Sequence, residues 1–298
     1  MRKRAYILMT AIVFMWGYEY VAAKHALESL EPIVLVFLKY LIALLCLILF
    51  KLKIDGTSFI IKKDVPYYII CAIFGEIVYF WAEYTAMDYI PIALITIILA
   101  FVPVASVITE KLIYKVRANA KIYMGIFFCI IGISFVVGAD FSVLFSGRII
   151  GYLLSLVAVL SWNAYNFVTR KLTGNYTELT LTVNQLIMTV IISAPFAIAK
   201  RPPLTAFTPQ VVGGIMYLGI ISAALGFLMY IFALKILGPT PTALFSNFLP
   251  ITAALFGWVS LHEVILPLQI LGGILVIIAG SFVIREKGRL EDQRLCKK

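Results

Sequence analysis

The chain has 298 residues, of which 62% are hydrophobic and only 13% are charged. Soluble domains hold roughly 45–50% apolar and about 25% charged residues, so this composition excludes an ordinary soluble globule and makes lipid the expected solvent. The net charge of +10 does not indicate a nucleic-acid partner, because most Lys and Arg residues lie in short segments between apolar runs, where they report membrane topology.

Ten apolar runs follow one another along the chain. Each is long enough to cross a hydrocarbon core of about 30 Å at about 1.5 Å per residue. We therefore predict an all-α integral membrane protein with ten transmembrane helices, in contact with the lipid bilayer. The predicted spans are 5–24, 32–50, 65–87, 90–110, 119–138, 148–170, 178–199, 211–235, 240–261 and 266–284.

The distribution of basic residues predicts the orientation of these spans. With ten spans, both termini lie on the same side of the membrane. If that side is the cytoplasm, cytoplasmic segments hold 20 of the 25 Lys and Arg residues and outer segments hold 4. Because basic residues concentrate on the cytoplasmic side, both termini are predicted to be cytoplasmic in a multi-pass protein of the plasma membrane. Residues 286–298 then form a basic cytoplasmic tail.

The second half of the chain repeats the first at a constant offset of 147 residues. A match without gaps over this length indicates an internal duplication, with one repeat at 5–138 and another at 148–285. The matching pairs include Tyr18 with Tyr165, Phe80 with Phe227, Phe101-Val102-Pro103 with Phe248-Leu249-Pro250, and Ser134-Phe135-Val136 with Ser281-Phe282-Val283.

The repeat contains five spans, an odd number, so the second copy must cross the membrane in the opposite orientation to the first. Inverted repeats around a pseudo-two-fold axis in the membrane plane are a transporter architecture, because they permit two mirror-related open states. The repeat also pairs the first span with the sixth, which predicts that the first span is retained and is not a cleaved signal peptide.

Several motifs resemble those of one transporter family. The second half contains Phe232-Ala233-Leu234-Lys235, Gly238-Pro239, Phe248-Leu249-Pro250, Trp258, Leu261-His262-Glu263, Pro267-Leu268-Gln269, Leu271-Gly272 and Gly280. This pattern resembles the second repeat of EamA proteins, and Trp16-Gly17 and Phe37-Leu38-Lys39 resemble the first. EamA proteins belong to the drug/metabolite transporter superfamily. The resemblance covers about residues 5–285 and implies ten helices, alternating access and, usually, efflux of amino acids, other metabolites or toxic compounds.

Three positions depart from the usual EamA pattern. The polar residue after Trp-Gly, usually Asn, is Glu19, and the usual Arg of the second span is Lys39. The Gly-Glu pair after the fourth span of each repeat is His262-Glu263 in the second copy and Lys115-Val116 in the first. The resemblance therefore does not assign a substrate.

Four ionisable residues inside predicted spans are the main candidates for transport: Glu19, Lys39, Glu76 and Glu83. A charge at the bilayer centre costs about 2.5–3.5 kcal/mol on insertion scales, so these side chains are expected to face inward. Glu83 follows Glu76 by seven residues, about two α-helical turns, so it lies on the same face of the third span about 10 Å nearer the outside. Lys39 can closely neutralise one carboxylate, which leaves another to bind a proton or a cation. Glu76, Glu83 and Glu19 are therefore proton-coupling candidates, and the alternative for Glu76 is a structural salt bridge with Lys39.

Glu19 lies in the outer half of the first span, and the repeat aligns it with Asn166 of the sixth span. Polar groups at equivalent places of two related helices are typical of a central binding site. The alternative for Glu19 is an end residue whose side chain reaches the aqueous interface.

Amides dominate the polar side chains of the second half. Taken singly, each fits interhelical hydrogen bonding. Taken together, they predict one cavity that is acidic on one side and lined by amides on the other. The substrate-binding candidates of this group are Asn163, Asn166, Asn184, Gln185 and Asn247.

Aromatic residues make up 14% of the chain and crowd the first, third and sixth spans. Interface belts account for some of them, whereas those beside Glu19 and Glu83 could form a cation–π cage. We therefore add Trp16, Tyr20 and Tyr79 to the substrate-binding candidates. The predicted substrate is cationic or zwitterionic, namely an amine or an amino acid.

Pro103 and Pro250 lie mid-span at equivalent positions of the repeat. Each removes a backbone hydrogen bond and is expected to kink its helix. Both a static bend and a gating flex point fit this pattern.

The sequence predicts a secondary active transporter of a small polar metabolite or drug-like compound, with an export direction implied by the family resemblance. The chain has no Walker motif or Gly-rich phosphate loop, so the energy must come from a gradient, for example of protons. No cofactor, metal site, disulfide or catalytic residue is indicated. A channel or a non-transporting membrane scaffold is the alternative, and a homodimer is left open.

Overall fold

The computed structural model describes residues 2–55, 61–114, 119–138, 147–172, 175–237, 245 and 247–295, and these ranges form helices joined by short turns. The helices are Arg2–Leu27, Pro32–Ile54, Val65–Cys71, Ala72–Val78, Tyr79–Ala86, Ile92–Leu99, Val102–Tyr114, Ala120–Gly138, Arg148–Leu172, Glu178–Lys200, Pro209–Met216, Tyr217–Leu225, Gly226–Leu237, Leu249–Leu261 and Pro267–Leu295. Short 3₁₀ turns occupy Lys62–Asp64 and Leu204–Ala206.

Within the described residues, eight stretches are long and apolar enough to cross a membrane by length and composition. Two shorter apolar helices, Ala120–Val136 and Leu249–Leu261, occupy the places of the predicted fifth and ninth spans. The predicted all-α membrane fold is confirmed. The eight long stretches are Arg2–Leu27, Pro32–Ile54, Lys62–Ala86, Ile92–Thr109, Arg148–Thr169, Leu179–Lys200, Pro209–Tyr230 and Pro267–Leu290.

The third and eighth spans each contain a π-helical segment, which hydropathy did not predict. These segments are Ala72–Val78 and Tyr217–Leu225. An offset of 147 residues moves 72–78 onto 219–225, so the two segments occupy equivalent places in the two halves. Single π-helical turns inside α-helices are rare and occur frequently at functional sites.

The fourth span is interrupted rather than kinked at its central proline, and in the ninth span a turn at 247–248 precedes the helix that contains Pro250. A turn follows Ile92–Leu99, and the next helix begins at Val102, so Pro103 is its second residue. Pro250 is likewise the second residue of Leu249–Leu261. The first turn of a helix tolerates proline, because its N–H groups have no intrahelical partner. In the fourth span the expected mid-span kink is therefore a helix break. Residues 238–244 and 246, which precede Pro250, lie outside the described ranges.

The fifth and tenth spans pack backbone to backbone. A Cβ atom on Gly132 would lie 2.8 Å from the carbonyl oxygen of Gly272, and one on Gly272 would lie 2.6 Å from that of Gly132. Only glycine permits this approach, which is common at helix interfaces in membranes.

One apolar core contains buried residues from all ten spans. In the first four spans it includes Val21, Leu35, Ala82 and Ile95. The outer surface of the bundle is also apolar, and its exposed side chains include Leu49, Phe127, Leu160, Ile191 and Trp258. An apolar interior and an apolar exterior together are what a lipid solvent requires.

One end of the bundle, called here the Lys24 end, carries ion pairs between the two halves. Lys24 Nζ lies 2.9 Å from Glu263 Oε1, and Glu263 Oε2 accepts a hydrogen bond from the backbone N–H of Ile92 at 3.0 Å. Lys200 Nζ lies 2.7 Å from Glu31 Oε2. Glu263, in the second half, thus contacts both the end of the first span and the start of the fourth.

The opposite end, called here the Asp55 end, is joined by hydroxyl groups that donate to carboxylates. Asp55 Oδ2 accepts hydrogen bonds from Thr177 and, at 3.1 Å, from Thr180. The hydroxyl group of Tyr176 donates to Asp64 Oδ2 at 2.8 Å. The connection between the sixth and seventh spans therefore contacts the end of the second span and the start of the third.

Candidate functional site

Lys39 lies at the centre of the polar interior. Its side chain is buried, and its ammonium group forms an ion pair with Glu19 of the first span. The Nζ atom also lies 3.6 Å from the ring centroid of Phe80 and 3.3 Å from the hydroxyl oxygen of Tyr84. The partner of Lys39 is therefore Glu19, and the alternative of a Lys39–Glu76 salt bridge is not what the structure contains.

Glu19 is buried and also contacts the second half of the chain. Its Oε2 atom accepts a hydrogen bond from the hydroxyl group of Ser222, in the π-helical segment of the eighth span. Trp16, one turn before Glu19, donates from its indole N–H to the carbonyl oxygen of Ser222 at 3.2 Å. The carboxylate of Glu19 is thus held between an ammonium group and a hydroxyl group, and it does not reach out to the interface.

Glu83 has a different environment, made of tyrosine hydroxyl groups. It is 2% exposed, and its Oε1 atom accepts hydrogen bonds from Tyr20 at 2.9 Å and from Tyr79 at 3.0 Å. Two hydroxyl groups therefore donate to the same carboxylate oxygen. The tyrosines predicted to flank Glu83 therefore meet it through their hydroxyl groups.

Glu76 lies in the π-helical segment of the third span and is 2% exposed. Its Oε2 atom and the Tyr40 hydroxyl oxygen are buried without a hydrogen-bond partner of good geometry among the described residues. The two side chains are nevertheless near enough to interact electrostatically. A buried polar oxygen without a partner is costly, which singles out Glu76 from the other two glutamates.

The four ionisable side chains form one group, called here the acidic cluster: Glu19, Lys39, Glu76 and Glu83. All four come from the first three spans, and Ser222 adds a hydroxyl group from the eighth. Lys39 is paired with Glu19, and Glu76 and Glu83 are near enough to Lys39 to interact with it electrostatically. Burial penalises uncompensated charge, and the cluster contains three carboxyl groups and one ammonium group.

The predicted amides do not meet in one lining. Asn163 bridges the sixth and fourth spans, because it accepts from Ser106 at 2.9 Å and donates to Thr109 at 2.6 Å. Asn247 donates to Ser281 and to the carbonyl oxygen of Ile277, both at 2.9 Å. Both side chains act in interhelical hydrogen bonding of the kind common in membrane bundles.

Asn184 and Gln185 belong to a second polar group, between the third, sixth and seventh spans. Gln185 accepts from Tyr165 at 3.1 Å and donates to Thr169 at 3.0 Å. Asn184 donates to Tyr68 at 3.3 Å, and its carbonyl oxygen is buried without a partner among the described residues. These amides are therefore buried in the bundle but bonded to neutral groups.

Asn166 is exposed on the sixth span, whereas its counterpart Glu19 is buried. The two residues are therefore equivalent in the repeat but differ in their exposure. The predicted site residues did not include four side chains that the structure places beside the cluster: Ser222, Tyr40, Phe80 and Tyr84. One sequence signal pointed to Ser222, because the repeat aligns it with Gly75, the neighbour of Glu76.

The comparisons with known proteins agree with the membrane fold. The sequence pattern of the EamA-like transporter family matches residues 3–138 and 149–285. The uncharacterized transporter YoaV of Bacillus subtilis is 23% identical over 92% of this chain and 94% of its own length. An uncharacterized transporter of Archaeoglobus fulgidus is 24% identical over 95% of this chain and 100% of its own length.

A protein of known crystal structure superimposes with a TM-score of 0.67 at 18% sequence identity, over 95% of this chain and 98% of the other. That likeness shows the fold. The relatives are named as transporters, which supports a non-enzymatic role. The family inferred from the motifs is confirmed: the chain belongs to the EamA-like transporter family and is a multi-pass membrane transporter of the drug/metabolite type.

Proposed function

We propose that this transporter is a secondary active carrier of a small amine or amino acid, which it moves by alternating access with coupling to protons. The observation that carries the proposal is the burial of three carboxyl groups and a single ammonium group, with Glu19 paired to Lys39. Such a group at the core of a membrane bundle has a cost in stability, and intramembrane ionisable residues usually serve transport.

The acidic cluster matches the chemistry of an ammonium group. Glu83, with its two tyrosine donors, and Glu19 offer carboxylates to which an amine can donate. The aromatic rings of Tyr79 and Tyr20 lie beside Glu83 and are available for cation–π contacts. For an amino acid, Lys39 adds a partner for the substrate carboxylate.

The two ends of the bundle supply the contacts that alternating access has to break in turn. The basic residues favour cytoplasmic termini in the plasma membrane, which makes the Asp55 end cytoplasmic and the Lys24 end external. Opening outward then separates Glu263 from Lys24, and opening inward separates Asp55 from Thr177. The inverted arrangement of the repeats lets each movement mirror the other.

Glu76 is the preferred proton carrier of the three glutamates. Glu19 is paired with Lys39, and Glu83 has two hydroxyl donors, whereas Glu76 Oε2 is buried without a hydrogen-bond partner of good geometry among the described residues. A carboxyl group in that setting is stabilised by taking up a proton. The family resemblance favours export, which proton entry would drive.

A thermal-shift screen of the purified protein tests the substrate class. Butylamine, 1-butanol and butyrate share one carbon chain and differ in charge, and leucine adds a zwitterion. We expect stabilisation by butylamine or leucine that is lost in Glu83→Gln and Glu19→Gln and retained in Glu28→Gln, which changes an exposed carboxylate. Stabilisation by 1-butanol or butyrate, with none by butylamine or leucine, would contradict the proposal.

A channel is the alternative, and turnover separates the two. A carrier saturates with substrate concentration and supports counterflow, because each cycle moves a bound molecule. A pore does neither. Saturating flux with counterflow in proteoliposomes supports the carrier, and flux that rises linearly without counterflow supports the channel.

A further inference from the structure

The eighth span approaches the acidic cluster more closely than ordinary side chains would allow. A Cβ atom on Gly219 would lie 3.1 Å from the carbonyl oxygen of Lys39 and 2.6 Å from a side-chain carbon of Ile42. A Cβ atom on Gly226 would lie 2.8 Å from the indole nitrogen of Trp16. Two glycines thus let the π-helical region of the second half close directly on the first and second spans.

Ser222 lies between these two glycines and is 1% exposed. It makes two hydrogen bonds to the first span. Its hydroxyl group donates to Glu19, and its carbonyl oxygen accepts from Trp16 at 3.2 Å. The same Glu19 carboxylate is paired with Lys39 through its other oxygen. Ser222 therefore links the second half of the chain to the ion pair of the first.

The repeat does not provide a reciprocal link. The counterpart of Ser222 is Gly75, which has no side chain, and a Cβ atom there would lie 2.2 Å from the ring of Tyr165. The counterpart of Glu19 is Asn166, which is exposed. The hydrogen bond between Ser222 and Glu19 therefore has no counterpart between Gly75 and Asn166.

We propose that Ser222 is a positioning residue, which orients the Glu19 carboxylate for the substrate ammonium group. This inference rests on the proposed amine transport. A hydroxyl donor stabilises an ionised carboxylate and restricts its rotamer. When the substrate ammonium group competes with Lys39 for one oxygen of Glu19, Ser222 keeps the other oxygen in place.

The affinity of Ser222→Ala for butylamine and leucine is the first test. Loss of one hydrogen bond to a charged group predicts an increase in Kd of about tenfold. Ser155→Ala is the matched control, because Ser155 is buried and its hydroxyl group donates to the carbonyl oxygen of Gly151 in its own helix, at 2.8 Å. We expect the control to bind like the unmodified protein. An unchanged Kd in Ser222→Ala would overturn the inference.

Infrared spectroscopy of the ligand-free protein is the second test, and it does not depend on substrate binding. The carboxylate band of Glu19 is identified by its absence in Glu19→Gln. We expect this band to shift in Ser222→Ala and to stay in place in Ser155→Ala. A weaker affinity without a band shift would show that Ser222 acts through packing alone, which contradicts the inference. If the unmodified protein binds neither probe, the proposed function fails, and with it any role of Ser222 in amine binding.

Discussion

Lys39 and Glu19 form an ion pair between the second and first spans, with Lys39 1% exposed. Removal of one partner of a buried pair leaves an uncompensated charge and typically destabilises a protein by about 3–5 kcal/mol. We therefore expect Lys39→Met to lower the free energy of unfolding by that amount. The measurement is denaturant or thermal unfolding of the purified protein in detergent.

The double variant Lys39→Met/Glu19→Gln is the control for this prediction. It removes both charges, so it should recover most of the stability lost in Lys39→Met, because a neutral pair has no uncompensated charge. A single Lys39→Met variant that unfolds like the unmodified protein would show that the ion pair contributes nothing to the fold.

Substitution of the two tyrosines at Glu83 tests the amine site. Tyr20→Phe and Tyr79→Phe each remove one hydrogen bond to a carboxylate, and a hydrogen bond to a charged group contributes about 1.5–3 kcal/mol. We expect each variant to weaken binding of butylamine at least tenfold, and the double variant to approach Glu83→Gln. Tyr6→Phe, on an exposed part of the first span, should bind normally. Full affinity in the double variant would remove Glu83 from the site.

Glu76→Gln tests proton coupling. Glutamine resembles the protonated, neutral form of glutamate and cannot exchange a proton. We expect the variant to lose the dependence of transport on a pH gradient while it retains counterflow of substrate. The measurement is flux in proteoliposomes with and without an imposed gradient. If gradient-driven flux and counterflow both equal those of the unmodified protein, Glu76 carries no proton.

The backbone packing of the fifth and tenth spans predicts opposite effects for two glycine substitutions. Gly132→Ala forces a Cβ atom to 2.8 Å from the Gly272 carbonyl oxygen, and overpacking of this kind costs about 1–3 kcal/mol. At Gly213, no atom of the described residues lies within 4 Å of such a Cβ, so Gly213→Ala should raise stability by about 0.4–1 kcal/mol. Equal melting temperatures for the two variants would contradict this packing.

Hydropathy predicted the spans because lipid imposes length and apolarity on every segment that crosses it. It did not predict the π-helical segments Ala72–Val78 and Tyr217–Leu225. An apolar run has the same composition whether its helix is α or π, and the difference depends on tertiary packing. The prolines show the same limit. The sequence placed Pro103 and Pro250 mid-span, but only the structure shows that a helix begins there.

The ionisable members of the site were predictable, but their pairing was not. Glu19, Lys39, Glu76 and Glu83 stand out because charge inside an apolar run is costly. Whether Lys39 meets Glu19 or Glu76 depends on the rotation of three helices. Ser222 is 203 residues from its partner Glu19. Because serine is uncharged and common inside membrane spans, its residue type did not indicate a role in the site. The prediction grouped the amides by residue type. In the structure each has its own neighbours: Asn163 is hydrogen-bonded to Ser106, and Asn247 to Ser281.

Counterflow of a radiolabelled amine in proteoliposomes tests the central claim most directly. Vesicles loaded with unlabelled butylamine or leucine are diluted into the labelled compound, with the unmodified protein, Glu83→Gln and Glu28→Gln compared side by side. We expect transient, saturable accumulation of label with the unmodified protein and with Glu28→Gln, and none with Glu83→Gln. Accumulation that is undiminished in Glu83→Gln, or that butyrate and 1-butanol elicit as well as the amines, would contradict the assignment of the acidic cluster as the substrate site.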